Sequence, residues 1–161
     1  MRQVSQVALM TAREPEFAWL LGGEAVGGLS LPPGGVEDGA IVEMLRGVAR
    51  RVHAVHQAGA WLIVAGDEVV GLCGFKAPTD GEGAIEIGYG IAESRRRRGF
   101  ATAALAAMLI EIARDSKVRM VTAETAVASV GSQRVLEANG FVRTGTRLDP
   151  EDGEVIGWRL A

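Results

Sequence analysis

Apolar positions along the chain fall into two rhythms, and each rhythm predicts its own elements. Gln3 to Leu9, with Val4, Val7 and Leu9, predicts a first strand. Glu14 to Leu21 predicts a short helix carrying Phe17, Trp19, Leu20 and Leu21, with Pro15 suited to its first turn. From Asp38 to Gln57, the residues Ile41, Leu45, Val48, Val52 and Val55 recur at spacings of three and four, which predicts a helix with one apolar face. Asp38 is positioned to cap it. Ala60–Ala65 (AWLIVA) and Val69–Ala77 (VVGLCGFKA) flank a Gly66-Asp67-Glu68 turn and predict a hairpin. After a second turn, Pro78 to Gly83, the segment Ala84–Ile91 predicts a third antiparallel strand. Gly99 to Ser116 predicts the main helix, with Leu105, Met108, Leu109 and Ile112 inward. Lys117–Thr125 predicts a strand that can run parallel to Ala84–Ile91, because a helix separates the two. Val127 to Asn139 predicts another helix, with Val130, Val135 and Leu136 apolar, ended by a left-handed Gly140. Two strands close the order, Phe141–Leu148 and Glu154–Leu160, around an Asp149–Gly153 turn.

Alternation sharpens the reading of AIEIGYGI at Ala84–Ile91. Ile85, Ile87, Tyr89 and Ile91 share one face, and Glu86, Gly88 and Gly90 share the other. The second face is open, with one carboxylate projecting into it. The arginines Arg95 to Arg98 follow, then Gly99, Phe100, Ala101 and Thr102 and an alanine-rich helix. The first N–H groups of that helix lack internal partners, and its dipole adds partial positive charge. Gly99 lets backbone approach a ligand. Arginines at this end oppose the dipole and repel one another, and a bound anion would offset both. The stretch is an expected site for a phosphate or pyrophosphate.

Composition narrows the class. A length of 161 residues suggests one domain spanning 1–161, and 48% hydrophobic residues is ordinary for a globular chain. No 18-residue apolar run predicts a membrane span, and the first residues do not read as a signal peptide. A cytoplasmic location with no membrane partner is the expectation. The formal charge of −3 argues against a nucleic-acid partner. Cys73 stands alone in an apolar run and is expected to be buried and inert. His53 and His56 lack a third ligand, so no metal is expected, and both read as surface or half-buried residues. Gly22 to Gly39 is rich in glycine and proline and reads equally as a substrate-side lid or a mobile loop.

Two segments carry a family resemblance. R-R-R-G-F-A at Arg96–Ala101 fits the pattern Gln/Arg-x-x-Gly-x-Gly/Ala. S-Q-R-V-L-E-A-N-G-F at Ser132–Phe141, about 30 residues on, looks like the second signature of the same family. The chain resembles the GNAT superfamily of acyl-CoA N-acyltransferases. E-I-G-Y at Glu86–Tyr89 and R-G-F-A-T at Arg98–Thr102 are similar to its ribosomal-protein N-terminal acetyltransferase-like branch. The resemblance implies an α/β (α+β) fold: a central mixed, mostly antiparallel sheet of about six to seven strands with four helices, splayed at its two central parallel strands.

It also implies acetyl-CoA as co-substrate and a primary amine as acceptor: a peptide N-terminus, an amino acid, a polyamine or an antibiotic. Backbone N–H groups of Arg96, Arg97, Arg98, Gly99, Phe100, Ala101 and Thr102 would cradle the pyrophosphate. Tyr89 and Ile91 would pair with the pantetheine arm, and the Ile91 N–H would face the thioester carbonyl. Glu86 matches the base. Ser129 stands where the family often has a pantetheine-contacting asparagine, three residues before the small Ser132. Leu136 stands where a tyrosine often serves as general acid. That substitution keeps a second class open, an acyl-CoA sensor with a degenerate site; an RNA-binding domain built on Arg95–Arg98 is a further rival. Glu14, Glu16, Glu24, Glu37 and Asp38 on the acceptor side favour either a cationic acceptor or plain solvation. The branch resemblance also implies a possible homodimer.

Overall fold

The computed structural model describes residues 6–161. Strand β1 is Ala8–Thr11, followed by α1 (Glu14–Leu20), α2 (Gly39–His53), β2 (Ala60–Ala65), β3 (Glu68–Phe75) and β4 (Ala84–Ile91). A 3-10 turn at Glu93–Arg95 leads into α3 (Phe100–Ile112). Then come β5 (Met120–Ala126), α4 (Val130–Ala138), β6 (Phe141–Asp149) and β7 (Gly153–Leu160). The strands form one seven-stranded sheet in the order β1-β2-β3-β4-β5-β7-β6. All neighbours are antiparallel except β4 and β5, the parallel pair that the intervening helix predicts.

Two apolar clusters sandwich the sheet. β2 contributes Trp61 and Ile63 to one and Leu62 and Val64 to the other, as strand alternation requires. Ile85 and Ile87 join Leu105, Met108 and Leu136 of α3 and α4 in the first. Phe17, Trp19, Val42 and Ala49 of α1 and α2 meet Leu72 in the second.

Several expectations need correcting. The first strand pairs at Ala8–Thr11, later than predicted, because Met10 and Thr11 stand opposite Leu62 and Trp61; positions 3–5 of the predicted strand lie outside the described residues. Asp38 is the N-cap of α2, but its side chain makes no capping hydrogen bond; only its carbonyl accepts, from the Val42 N–H at 2.9 Å. α2 buries Val42, Ala49 and Val52, whereas Ile41 and Val55 of the predicted face are exposed. The helix ends at His53 rather than Gln57, and His56 is fully buried rather than surface or half-buried. β5 begins at Met120 rather than Lys117, because Lys117 and Val118 belong to a turn in which the Val118 N–H donates to the Asp115 carbonyl at 3.1 Å. α4 begins at Val130, because Gln133 turns inward and donates from Nε2 to the carbonyls of Ala126 and Val127, holding those residues in a turn.

His56 ties the end of α2 to the end of α3. The Thr79 N–H donates to Nε2 at 3.1 Å, which places the ring proton on Nδ1, and Nδ1 donates to Asp115 Oδ2 at 2.6 Å. Phe75 packs edge-on to the ring at 5.0 Å. Burial raises the Asp115 pKa, but hydrogen bonds from His56 and the Lys117 N–H outweigh it, so the net shift is downward. A carboxylate with a depressed folded pKa adds stability above its unfolded value, and that stability is lost as pH falls through the folded value. Asp115→Ala, which leaves the buried Nδ1–H without an acceptor, is expected to cost about 1–3 kcal/mol at neutral pH. In the variant, the decline in thermal stability below about pH 4 should flatten; an unchanged acid limb in melting curves would remove Asp115 from this role.

Candidate active site

β4 is held by β3 on one side and only briefly by β5 on the other. The register with β3 runs to Ile91 opposite Gly71. Lys76 N–H donates to the Glu86 carbonyl and Ala92 N–H to the Val70 carbonyl, each at 2.8 Å. Antiparallel bonding alternates, so Glu86, Gly88, Gly90 and Ala92 turn their main-chain groups to β3. Ile87, Tyr89 and Ile91 turn theirs towards β5. The register with β5, however, covers only Ala84/Met120, Ile85/Val121 and Glu86/Thr122. The strands part beyond that, as the splayed expectation required.

The parting opens a cleft of about 230 Å³ lined by Ile87, Gly88 and Tyr89 of β4, Ala123–Ala126 of β5, and Ser129 and Ser132 of α4. The Tyr89 hydroxyl crosses to α4 and donates to the Ser132 carbonyl at 3.2 Å. Burial pushes the phenol's pKa up. Glu124 also lines the cleft, but Arg147 engages it through Nε and Nη2, both at 2.6 Å, and holds its pKa down.

A second cavity of about 490 Å³ lies between α2 and β3–β4, walled by Ile41, Met44, Leu45, Val48, Trp61 and Leu72. Gly88 and Tyr89 line both cavities, and so does Lys76. A Cβ on Gly90 would meet nothing within 4 Å, so this face of β4 is open as the alternation predicted. Glu86 sits one pleat repeat before Gly88, and its Oε2 is ion-paired with Lys76 Nζ at 2.8 Å. Lys76 carried no signal by itself; only the β3–β4 register places it opposite Glu86.

The basic turn closes back on the strand end. Arg96 Nε donates to the Ile91 carbonyl at 3.1 Å. Arg97 has φ 65°, an uncommon left-handed conformation for a residue with a Cβ. Gly99, the N-cap of α3, has φ 81°, so glycine here serves backbone conformation as well as close approach. The first intrahelical bond of α3 runs from the Ala103 N–H to the Gly99 carbonyl at 3.2 Å, leaving the earlier N–H groups of Phe100, Ala101 and Thr102 pointing out of the helix end. No acidic residue occupies that first turn. Arg95 does not belong to the anion-facing set: Glu68 takes it through Nε at 2.6 Å and Nη2 at 3.0 Å.

Other predicted residues divide. Leu136 is fully buried core. Cys73 is buried, and burial drives its thiol pKa far up. Of the acidic residues on the acceptor side, Glu37 lines the larger cavity. Glu14 is engaged by Arg46 and Arg50, which hold its pKa at about 2, and Glu16 accepts the Arg13 N–H at 2.7 Å. Among the described residues, no group of three or more His, Cys, Asp or Glu is arranged to hold a metal ion, and no helix is long and apolar enough to cross a membrane.

Comparison with known proteins agrees with this geometry. Uncharacterized N-acetyltransferase YjdG of Bacillus subtilis (strain 168) is 35% identical over 85 residues, 52% of this chain and 51% of that protein, so the match spans about half of the relative's length. The ribosomal L7/L12 alpha-N-protein acetyltransferase RimL, solved with coenzyme A, superposes with a TM-score of 0.70 at 20% identity, over 96% of this chain and 93% of that one. The aminoglycoside acetyltransferase AAC(6')-Ib with coenzyme A gives a TM-score of 0.68 at 18% identity, over 96% and 94%. A chimera of spermidine N-acetyltransferase SpeG from Vibrio cholerae and hSSAT gives 0.67 at 15%, over 97% and 95%. At these identities the structural likeness is one of fold. The acetyltransferase (GNAT) domain family matches residues 32–142, well over half of the sequence, and the chain belongs to that family.

Proposed function

We propose that the protein transfers an acetyl group from acetyl-CoA to a primary amine by direct attack. The observation that carries this reading is the junction at Gly88–Tyr89, where the cleft between parted strands meets a second cavity. One opening suits a thioester arm and the other an acceptor. The turn from Arg96 to Thr102, with its outward N–H groups, suits the diphosphate end of coenzyme A. Ser129 and Ser132 line the cleft where the pantetheine would run.

The amine nitrogen attacks the thioester carbonyl carbon, and the carbonyl π pair moves to oxygen. The Ile91 N–H, turned away from β3 towards the β5 side by the alternation of the ladder, stabilises that oxyanion; one such donor is worth about 3 kcal/mol in a preorganised site. Collapse restores the carbonyl and breaks the C–S bond. The sulfur leaves with the electron pair and takes a proton. With Leu136 in the core, the phenol at the junction is Tyr89, and burial keeps it protonated at neutral pH. The ammonium proton that the acceptor loses before attack passes through water to Glu86, which lies about 6–7 Å along the strand from Gly88; the second N–H proton leaves to solvent after attack, and solvent returns a proton to Tyr89. The structural neighbours named above span acceptors from a ribosomal protein to aminoglycosides and spermidine, so membership of the fold leaves the acceptor open.

Gly99→Asp places a side chain at a left-handed position and a negative charge at the start of α3. It is expected to weaken CoA binding, measured by calorimetry, by about tenfold or more, ~1.4 kcal/mol. Retained affinity in a folded variant would refute the pyrophosphate assignment. Free-thiol release from acetyl-CoA with a panel of amines tests the chemistry; tight CoA binding without release for any amine would instead favour a sensor.

Glu86→Gln should lower kcat at neutral pH by about 10²-fold and leave CoA affinity unchanged. An unaltered pH–rate profile would exclude it as base. Tyr89→Phe should lower kcat without weakening CoA binding; wild-type turnover in that variant would return the thiolate's proton to water.

A further inference from the structure

The larger cavity is more apolar than its place in the fold requires. Ile41 and Met44 of α2 are 38% and 59% exposed, although both are large apolar side chains, and both line this cavity. Leu45 and Val48 continue the same wall one turn on, and Phe17 of α1 and Leu72 of β3 close it. Val42, Ala49 and Val52 are the buried residues of α2, and Leu45 and Val48 pack partly against the two clusters, so packing alone does not explain Met44. Its volume of about 490 Å³ lies in the range of small-molecule sites, roughly 300–1,000 Å³.

Charge points the same way. A polyamine or an aminoglycoside carries several ammonium groups, and burying each calls for a carboxylate or an equivalent partner. Glu37 is the carboxylate among the lining residues, and it lies at the exposed end. At the β4 end stands a cation, Lys76, already ion-paired with Glu86. Glu14, the nearest acidic residue in α1 to the α2 wall, is committed to Arg46 and Arg50. Inward of the mouth that Glu37 occupies, a second positive charge on the acceptor would meet hydrocarbon or Lys76.

We infer that the acceptor is a singly charged primary amine joined directly to a bulky apolar group, seated against Ile41, Met44, Leu45 and Val48 with its nitrogen at Gly88–Gly90. This rests on the acetyl-transfer reading for its chemistry and on the cavity alone for its binding. Two sources share the chemistry, a free arylalkyl or alkyl amine and a peptide whose first residue is apolar.

Thiol release is measured with 2-phenylethylamine, leucinamide, a leucine-initiated tetrapeptide, a serine-initiated tetrapeptide, spermidine and kanamycin. The apolar amines should exceed spermidine, kanamycin and the serine peptide in kcat/KM by about tenfold or more. The tetrapeptide against phenylethylamine separates the two sources. Equal or greater rates with spermidine or kanamycin would overturn the inference. Met44→Glu, at an exposed position, should erase the apolar preference and leave CoA affinity unaltered; unchanged selectivity would also overturn it. Binding is read without turnover from the Met44 methyl resonance in protein labelled with 13C at methionine methyls, assigned with Met44→Leu. That resonance should shift and saturate with phenylethylamine or leucinamide and not with spermidine. The readout survives if coenzyme A fails to bind, which would sink acetyl transfer alone. A silent Met44 resonance with every apolar amine would sink the acceptor class alone.

Discussion

Each central strand is held more firmly on its outer side than across the seam between β4 and β5, and the site follows from that imbalance. β5 pairs with β7 from Thr122 to Ala126, and β4 pairs with β3 out to Ile91. Across the seam the pairing is parallel, slightly less stable per residue than antiparallel, and it stops at Glu86/Thr122. The sheet therefore opens at its one parallel joint. The main-chain groups of Tyr89 turn into the opening because the β3 ladder has already claimed those of Gly88 and Gly90, whereas the Ile91 carbonyl accepts from Arg96 Nε. Backbone donors turned out of a ladder need partners, and an extended ligand with amide groups can supply them in a groove of this shape. Tyr89 spans the same gap with its side chain, reaching the Ser132 carbonyl.

The parts of this arrangement that could be read from the residues are those governed by short-range rules. Strand alternation placed Ile85 and Ile87 inward and left Gly88 and Gly90 on the other face, which is open at Gly90 and met at Gly88 by the Lys76 side chain. Gly140 is left-handed at φ 86°, as a helix-ending glycine after Asn139 should be. Family membership was legible for the same reason: the motif at Arg96–Ala101 is a local device, a left-handed turn followed by a helix start. Three of the misreadings involve partners distant in sequence. Arg95 looked like one of a run of equivalent cations, yet Glu68, in β3, removes it from the set. His56 looked surface or half-buried because nothing near it in sequence announces Asp115, 59 positions away. The acidic residues at positions 14 to 38 looked like one patch, but Arg46 and Arg50, a helix later, commit Glu14 elsewhere. A charged side chain's availability is a property of the fold, and composition alone does not carry it.

Helix α2 shows a subtler limit of periodicity. Ile41, Leu45, Val48, Val52 and Val55 fit a helical face by spacing, and the natural inference is a core stripe. In the structure Val52 is buried and Leu45 and Val48 pack partly against the core, but the buried positions include Val42 and Ala49 from outside that face, and Ile41, Leu45 and Val48 also look into a cavity. A core and a ligand wall demand the same residue types, so the hydrophobic pattern registers both and separates neither. What separates them is what stands opposite. Val42 meets protein and is fully buried, whereas Met44 meets open volume and stays exposed. An excess of apolar positions over those that packing consumes is thus itself informative. In α2 the excess falls on the side facing Gly88–Gly90, where the strand has shed its side chains, and a wall of hydrocarbon opposite a bare strand leaves room for a ligand's body on one side and its reacting atom on the other.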